Sequence, residues 1–229
     1  MSKVTYPIFK VADRIVFKAE ENYVLFDTGF PHSVAVNGKI GPFDVVPYPE
    51  AFFDSFINLT MPDGLKVKAI FSPMNSYNCH LTLDGITITD EKEAIPEHDY
   101  FLPFVERTYP IVEGTMNGTP IRFYFDSGAR MTMFGESELS GGKPSIGNYI
   151  EWMAMLRQNA TLSIYGIALD FPCGLHYEGK GALVQQKEYM MTGKQMGIRA
   201  MLGIDVFNKY DLYISTSNLQ CGIALKKRQ

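Results

Sequence analysis

Two aspartates are the residues of this chain whose setting best suits proton-transfer chemistry. Both open the same kind of tripeptide, Asp27-Thr28-Gly29 and Asp126-Ser127-Gly128. Two carboxyl groups held about 3 Å apart cannot both ionise, so such a pair shares one proton. One member can then accept a proton from water while the other donates one. Asp27 and Asp126 are therefore the candidate catalytic residues.

Each tripeptide occurs in the same predicted local structure. A lone Asp-Ser/Thr-Gly is typical of an ordinary turn. Here each copy follows an apolar strand-like run, and each run is the second arm of a predicted hairpin. The turns of these hairpins lie at 20–22 and at Asn117-Gly118, the latter a strong hairpin dipeptide. Two copies in matching surroundings favour a paired site over chance.

The similarity between the two copies extends beyond the tripeptides. Asp27 and Asp126 are 99 residues apart, whereas Ile70-Phe71-Ser72 matches Met201-Leu202-Gly203 at an offset of 131. The second half thus contains an insertion of 32 residues between these two points. A repeat that occurs twice predicts a pseudo-dimer of two related halves.

A hairpin ending in Asp-Ser/Thr-Gly, followed much later by two apolar residues and a glycine, resembles the half-unit of aspartic peptidases, both retropepsin-like and pepsin-like. The resemblance implies an all-β acid-protease fold with two pseudo-symmetric, β-barrel-like lobes and a few short helices. The lobes would be residues 1–104 and 105–229. The implied activity is that of an aspartic-type endopeptidase, which hydrolyses peptide bonds with a water activated by Asp27 and Asp126.

The resemblance also implies roles for neighbouring residues. The two hydroxyl residues would cross-link the active-site loops, and the glycines would let the chain turn and bring an amide near each carboxylate. The residues expected to support the loops are Thr28, Gly29, Ser127, Gly128 and Gly203. Phe30 and Ala129, which follow the tripeptides, are expected to bind substrate.

The first half departs from the family pattern more than the second. Phe30 and Pro31 stand where the family usually has a small residue, and Ser72 occupies the position of Gly203. The Phe30 ring would either narrow a substrate pocket or block the usual geometry. Two alternatives therefore remain open. One is a catalytically inactive acid-protease-like module for peptide binding or assembly, and the other is a site formed between two chains of a homodimer.

The rest of the sequence predicts mostly strands. Helices are predicted at 49–59 and at 145–158, where apolar residues recur at helical spacing. One strand-like run spans 160–169, and the charged segment 91–99, interrupted by Pro96, is the candidate linker. Residues 177–181 have the composition of a surface hairpin.

Composition narrows the range of partners. The 21 basic and 25 acidic residues give a net charge of −4 without a basic patch, which argues against nucleic acid. Three cysteines without Cys-x-x-Cys spacing and four scattered histidines predict no metal site, and we expect no cofactor. The N-terminus has no apolar signal-like stretch, so we expect a cytoplasmic protein that is not membrane-bound. The expected partner is a peptide or protein substrate, with the chain acting as a monomer or homodimer.

Overall fold

The computed structural model describes residues 3–74, 77–105, 107, 109–116, 119–129, 133–135, 149–150, 153–164, 167–176 and 198–228. The strands of the first half are β1 (Lys3–Tyr6), β2 (Ile8–Val11), β3 (Arg14–Ala19), β4 (Asn22–Phe26), β5 (Val34–Ala35), β6 (Lys39–Ile40), β7 (Phe43–Asp44), β8 (Val46–Pro47), β9 (Val67–Phe71), β10 (Asn78–Leu81), β11 (Ile86–Thr89) and β12 (Tyr100–Pro103). A short helix, α1 (Glu50–Phe52), continues into a π-helical turn (Phe53–Ile57).

The second half is also built from strands. They are β13 (Ile111–Met116), β14 (Thr119–Phe125), β15 (Met133–Gly135), β16 (Tyr149–Ile150), β17 (Met153–Ile164), β18 (Ile167–His176), β19 (Ile198–Leu202), β20 (Tyr210–Ser215) and β21 (Gly222–Lys227). A 3₁₀ turn (Ile204–Asn208) lies between β19 and β20. The predicted all-β architecture with short helical segments is therefore confirmed.

Each half has a sheet of its own. The first sheet has the order β2-β3-β4-β9-β5-β8, and the second has the order β13-β14-β19-β15-β18-β17-β16. A further pairing of two residues in β13 with two in β17 adds to the second sheet. Within the described strands the sheets are not closed barrels, so the β-barrel-like form expected for the two lobes is not found. β6 and β7 form a separate two-stranded ribbon.

The two sheets repeat one arrangement of strands. A hairpin, β3–β4 or β13–β14, places its second strand in parallel pairing with a later strand, β9 or β19. Phe26 lies opposite Phe71, and Phe125 lies opposite Leu202. These pairs are related by the offsets of 99 and 131 found in the sequence. In both parallel pairings the register shifts after the first residue pair, so the two halves also share this irregularity of the backbone.

A third sheet joins the halves. Its order, β1-β11-β10-β20-β21-β12, is symmetric about the antiparallel pair β10–β20, where Leu81 lies opposite Leu212. The sheet takes β12 beside β21, so the strand that ends the predicted first lobe pairs with the second half. The division at residue 104 stays a prediction. The main apolar core is shared as well, because Phe71, Phe125 and Leu212 all belong to one buried cluster.

Helix prediction was right once and wrong once. The segment 49–59 contains α1 and its π-helical turn, which end at Asn58 in the left-handed conformation (φ 42°) that asparagine tolerates. The helix predicted at 145–158 is wrong where the chain is described, because β16 and β17 occupy that segment. β17 forms ten consecutive pairs with β18, and this long-range ladder overrides the local periodicity.

The remaining sequence predictions concern a strand-like run, the linker and a surface hairpin. The run 160–169 is divided between β17 and β18, which form a hairpin rather than one strand. The candidate linker 91–99 contains neither strand nor helix. The predicted hairpin at 177–181 lies outside the described residues. Within the described ranges, no helix has the length and apolar character required to cross a membrane.

Candidate active site

The repeated strand arrangement fixes the backbone of both aspartates. Asp27 directly follows β4, and its N–H donates to the carbonyl of Phe71 at 3.0 Å. Asp126 directly follows β14, and its N–H donates to the carbonyl of Leu202 at 2.9 Å. Each aspartate is therefore held by the parallel neighbour of its own strand. We call residues 27–30 the first loop and residues 126–129 the second loop.

The hydroxyl residues cross-link the two loops. The Thr28 N–H donates to Ser127 Oγ at 2.8 Å, and the Ser127 N–H donates to Thr28 Oγ1 at 2.9 Å. Each hydroxyl in turn donates to the opposite strand, Thr28 to the carbonyl of Phe125 at 2.8 Å and Ser127 to the carbonyl of Phe26 at 3.2 Å. Both side chains are fully buried, so each hydroxyl needs the partners that the other loop supplies.

The glycines allow each loop to approach the other loop's carboxyl. A Cβ added at Gly29 would lie 2.5 Å from the carboxyl carbon of Asp126, and one added at Gly128 would lie 2.5 Å from that of Asp27. Neither glycine has a positive φ. Glycine is therefore required at both positions because a side chain would collide with the opposite carboxyl. The sequence suggested only that these glycines allow a sharp turn.

The two carboxyl groups meet between the loops. Each carboxyl lies against the glycine of the opposite loop, and both aspartates are half-buried. This proximity lets the two carboxyls share a hydrogen bond, which contributes to the pKa of each. The pairing occurs within one chain. The arrangement can hold a single proton between two carboxyls.

The surroundings of the two carboxyls differ. Asp27 Oδ1 accepts from the Gly29 N–H at 2.8 Å, whereas Asp126 Oδ1 accepts from both Gly128 at 2.9 Å and Ala129 at 3.1 Å. Burial raises the pKa of both groups, and the Asp126 charge raises the pKa of Asp27 well above its usual range. Donation from Asp27 and from the two amides opposes this rise at Asp126. The surroundings of Asp126 therefore favour its charged form more than those of Asp27 do.

Two residues near the pair were not found from the sequence. The Arg14 guanidinium lowers the pKa of both aspartates, against the effect of burial. The Tyr124 hydroxyl donates to the Gly29 carbonyl at 3.3 Å, which adds a contact from β14 to the first loop. The residue related to Tyr124 in the first half is Leu25, so the repeat itself gave no signal for this contact.

The remaining candidate residues lie around the loops. The Phe30 ring packs against Phe52 and the apolar cluster of the first half, with ring centroids 6.0 Å apart. His32, two residues after Phe30, is exposed. Ala129 accepts at its carbonyl from the N–H of Ile204 at 3.0 Å. Substrate binding by Phe30 and Ala129 stays a prediction.

Ser72 directly follows β9, and Gly203 lies at the related position directly after β19. Gly203 has φ −86° and ψ −178°, an extended conformation open to any residue. A serine at the related position therefore causes no backbone strain. Among the described residues, no group of three or more His, Cys, Asp or Glu side chains is arranged to hold a metal ion.

A comparison with solved structures agrees with this architecture. The crystal structure of aspartic proteinase from Irpex lacteus matches with a TM-score of 0.52 and 10% sequence identity, over 98% of this chain and 98% of that one. No family model and no curated protein sequence matches the chain. At this identity the likeness concerns the fold alone. The chain has an all-β fold of the acid-protease kind.

Proposed function

We propose that this protein is an aspartic-type endopeptidase that acts through Asp27 and Asp126. The observation that carries the proposal is the pair of half-buried carboxyls, one from each repeat, each lying against the glycine of the opposite loop. Ordinary structural aspartates are rarely placed side by side, because two neighbouring negative charges destabilise the folded state. Such pairs are concentrated where proton transfer is required.

The proposed reaction begins with a water molecule near both carboxyls. The Asp126 carboxylate accepts a proton from this water as its oxygen bonds to the peptide carbonyl carbon. Asp27 donates its proton to the carbonyl oxygen, which gives a neutral tetrahedral diol. Asp126 then protonates the amide nitrogen and Asp27 recovers a proton from a diol hydroxyl. The C–N bond breaks, releasing an amine and a carboxylic acid and restoring the starting protonation.

The loops suit this reaction because they are rigid on both sides. Four hydrogen bonds between Thr28, Ser127 and the opposite strands hold the carboxyls at a fixed separation. Preorganised groups of this kind lower the barrier because they need little rearrangement in the transition state. The substrate class is a peptide in extended conformation, held by main-chain hydrogen bonds between the halves.

The test is peptide cleavage over a range of pH. The purified protein is incubated with a diverse peptide library between about pH 3 and 7, the range in which carboxyl pairs titrate, and products are identified by mass spectrometry. We expect cleavage that is favoured by acid. Asp126→Asn removes the charge and keeps the size, so it should abolish cleavage in a folded protein.

Asp54→Asn is the matched control, because Asp54 is an exposed aspartate whose carboxyl pairs with Lys66. It should cleave at the wild-type rate. A chelator added to the wild type should have no effect, which excludes a contaminating metallopeptidase. If the wild type cleaves nothing, the proposal is wrong and the inactive peptide-binding or assembly module becomes the better description.

A further inference from the structure

The segments beside the two loops differ at one pair of related positions. In the second half the sequence is Gly203-Ile204, and in the first half it is Ser72-Pro73. The Ile204 N–H donates to the Ala129 carbonyl at 3.0 Å and so holds the end of the second loop. Proline has no N–H, so Pro73 cannot make the related bond to Phe30.

The first loop is nevertheless held at the related carbonyl. The hydroxyl of Ser72 donates to the Phe30 carbonyl at 2.6 Å. Phe30 and Ala129 are related by the offset of 99, and Pro73 and Ile204 by that of 131. The side chain of the residue before the proline thus occupies the place of the missing backbone donor.

The Ser72 backbone is itself anchored to the residues that follow the first loop. Its N–H donates to Ser33 Oγ at 3.0 Å, and Ser33 Oγ donates to the Ser72 carbonyl at 3.0 Å. Ser72 is 1% exposed and Ser33 is 8% exposed. The hydroxyl therefore acts from a fixed position, and water has little access to replace it.

We propose that Ser72 is a positioning residue for the first loop, whose hydroxyl replaces the amide that Pro73 lacks. This inference rests on the proposed function. In the sequence, serine at the position of Gly203 was a departure from the family pattern that left an inactive module open. In the structure, its hydroxyl supports the first loop. Ser72 and Pro73 form a compensated pair that keeps the first loop in the geometry of the second.

The test removes the hydroxyl and then restores the amide. Ser72→Ala should lower kcat about tenfold with KM nearly unchanged, since a lost buried hydrogen bond is worth roughly that factor. The double variant Ser72→Ala with Pro73→Ala regains an N–H at residue 73 and should recover to within about threefold of wild type. Pro73→Ala alone keeps the hydroxyl and should remain close to wild type.

Ser215→Ala is the matched control. It removes a buried hydroxyl whose partner is the Gln220 carbonyl at 2.8 Å, rather than a residue of either loop. It should lower the thermal midpoint by an amount similar to that for Ser72→Ala, while kcat is retained. A fall in kcat for Ser215→Ala as large as that for Ser72→Ala would show that general destabilisation explains both.

Amide hydrogen exchange tests the inference without enzymatic activity. In Ser72→Ala the Gly29 N–H should exchange about tenfold faster, because a loosened loop opens more often. The Gly128 N–H in the second loop should be unchanged, and the double variant should restore Gly29. Equal acceleration at both glycines, no change at either, or a folded double variant without rescue would overturn the inference. If the wild type cleaves no peptide but the variants show this exchange pattern, the proposed function is wrong and the inference about Ser72 stands.

Discussion

The first and second loops share a backbone framework and differ in the groups that complete it. In both, the aspartate N–H donates to the last residue of the parallel strand, and a hydroxyl residue reaches across to the other loop. Asp126 accepts from two backbone amides beside the pair, whereas Asp27 accepts from one among the described residues. The end of the first loop is held by a side chain and that of the second by an amide.

This difference shows which parts of a duplicated site are free to change. The central cross-link involves both halves at once, so a change in one half alone would leave buried polar groups unpaired. The carbonyl at the end of each loop needs only one donor from its own half. The first half supplies that donor as the Ser72 hydroxyl, and the second half supplies it as the Ile204 amide.

The largest expected effect comes from replacing either carboxyl group by an amide. Asp27→Asn and Asp126→Asn should each lower kcat/KM by about 10²- to 10⁴-fold, the usual contribution of a general acid or base. Peptide cleavage at the pH optimum measures both. If Asp27→Asn keeps the wild-type rate while Asp126→Asn is inactive, the two loops are not partners in one site. The arrangement across a homodimer would then be favoured.

Adding a methyl group to either glycine should have the next largest effect. The new Cβ of Gly29→Ala or Gly128→Ala would press against the opposite carboxyl, 2.5 Å from its carbon atom. A displacement of about 1 Å is enough to lower the rate about 100-fold. Cleavage kinetics should show similar losses for both variants.

Gly64→Ala is the control for the glycine variants. Gly64 has φ +85° and no atom within 4 Å of an added Cβ, so the change strains the backbone but not the carboxyl pair. It should lower stability by about 1 kcal/mol and leave kcat unchanged. Unequal losses for Gly29→Ala and Gly128→Ala would show that one loop yields more easily than the other.

Removing a cross-linking hydroxyl should reduce stability. Thr28→Val and Ser127→Ala each delete two buried hydrogen bonds, which predicts a loss of about 2–4 kcal/mol in the free energy of unfolding. Thr28→Ser keeps the hydroxyl and should lose much less. Urea unfolding measures all three. Costs of Thr28→Val and Ser127→Ala that differ severalfold would contradict an evenly shared cross-link.

The smallest expected effect is on the pH dependence of stability. Asp27 has a folded-state pKa raised above the unfolded value, so the folded state binds its proton more tightly. Stability from this group is present below the unfolded pKa and is lost as the pH rises through the folded pKa. Asp27→Asn should therefore be slightly more stable than wild type at neutral pH and no more stable at low pH, as measured by thermal unfolding.

Carboxyl titration followed by ¹³C NMR compares the pH at which Asp27 and Asp126 release their protons. Asp27 should release its proton at a higher pH than Asp126, because two backbone amides and the donation from Asp27 stabilise the Asp126 charge. The reverse order would contradict the assignment of Asp27 as the proton carrier. The activity of the wild type should decline over the range in which Asp27 titrates.

Much of the site was predictable from the sequence because its elements are local. An apolar strand ending in Asp-Ser/Thr-Gly marks each loop, and the offsets of 99 and 131 predicted which later strands correspond. Composition predicted the mainly β architecture, and a short helix was found within 49–59. These patterns depend on neighbours along the chain, which a single sequence records directly.

Tertiary structure decided what depends on contacts between distant residues. The described residues of the segment predicted as a helix at 145–158 lie in strands, and β18 offers β17 a long pairing partner. The contact from Tyr124 to Gly29 and the replacement of an amide by Ser72 have no local signature, since each joins residues that are tens of positions apart. The two carboxyls differ in the number of backbone amides that donate to them, which the identical residue type of Asp27 and Asp126 does not reveal.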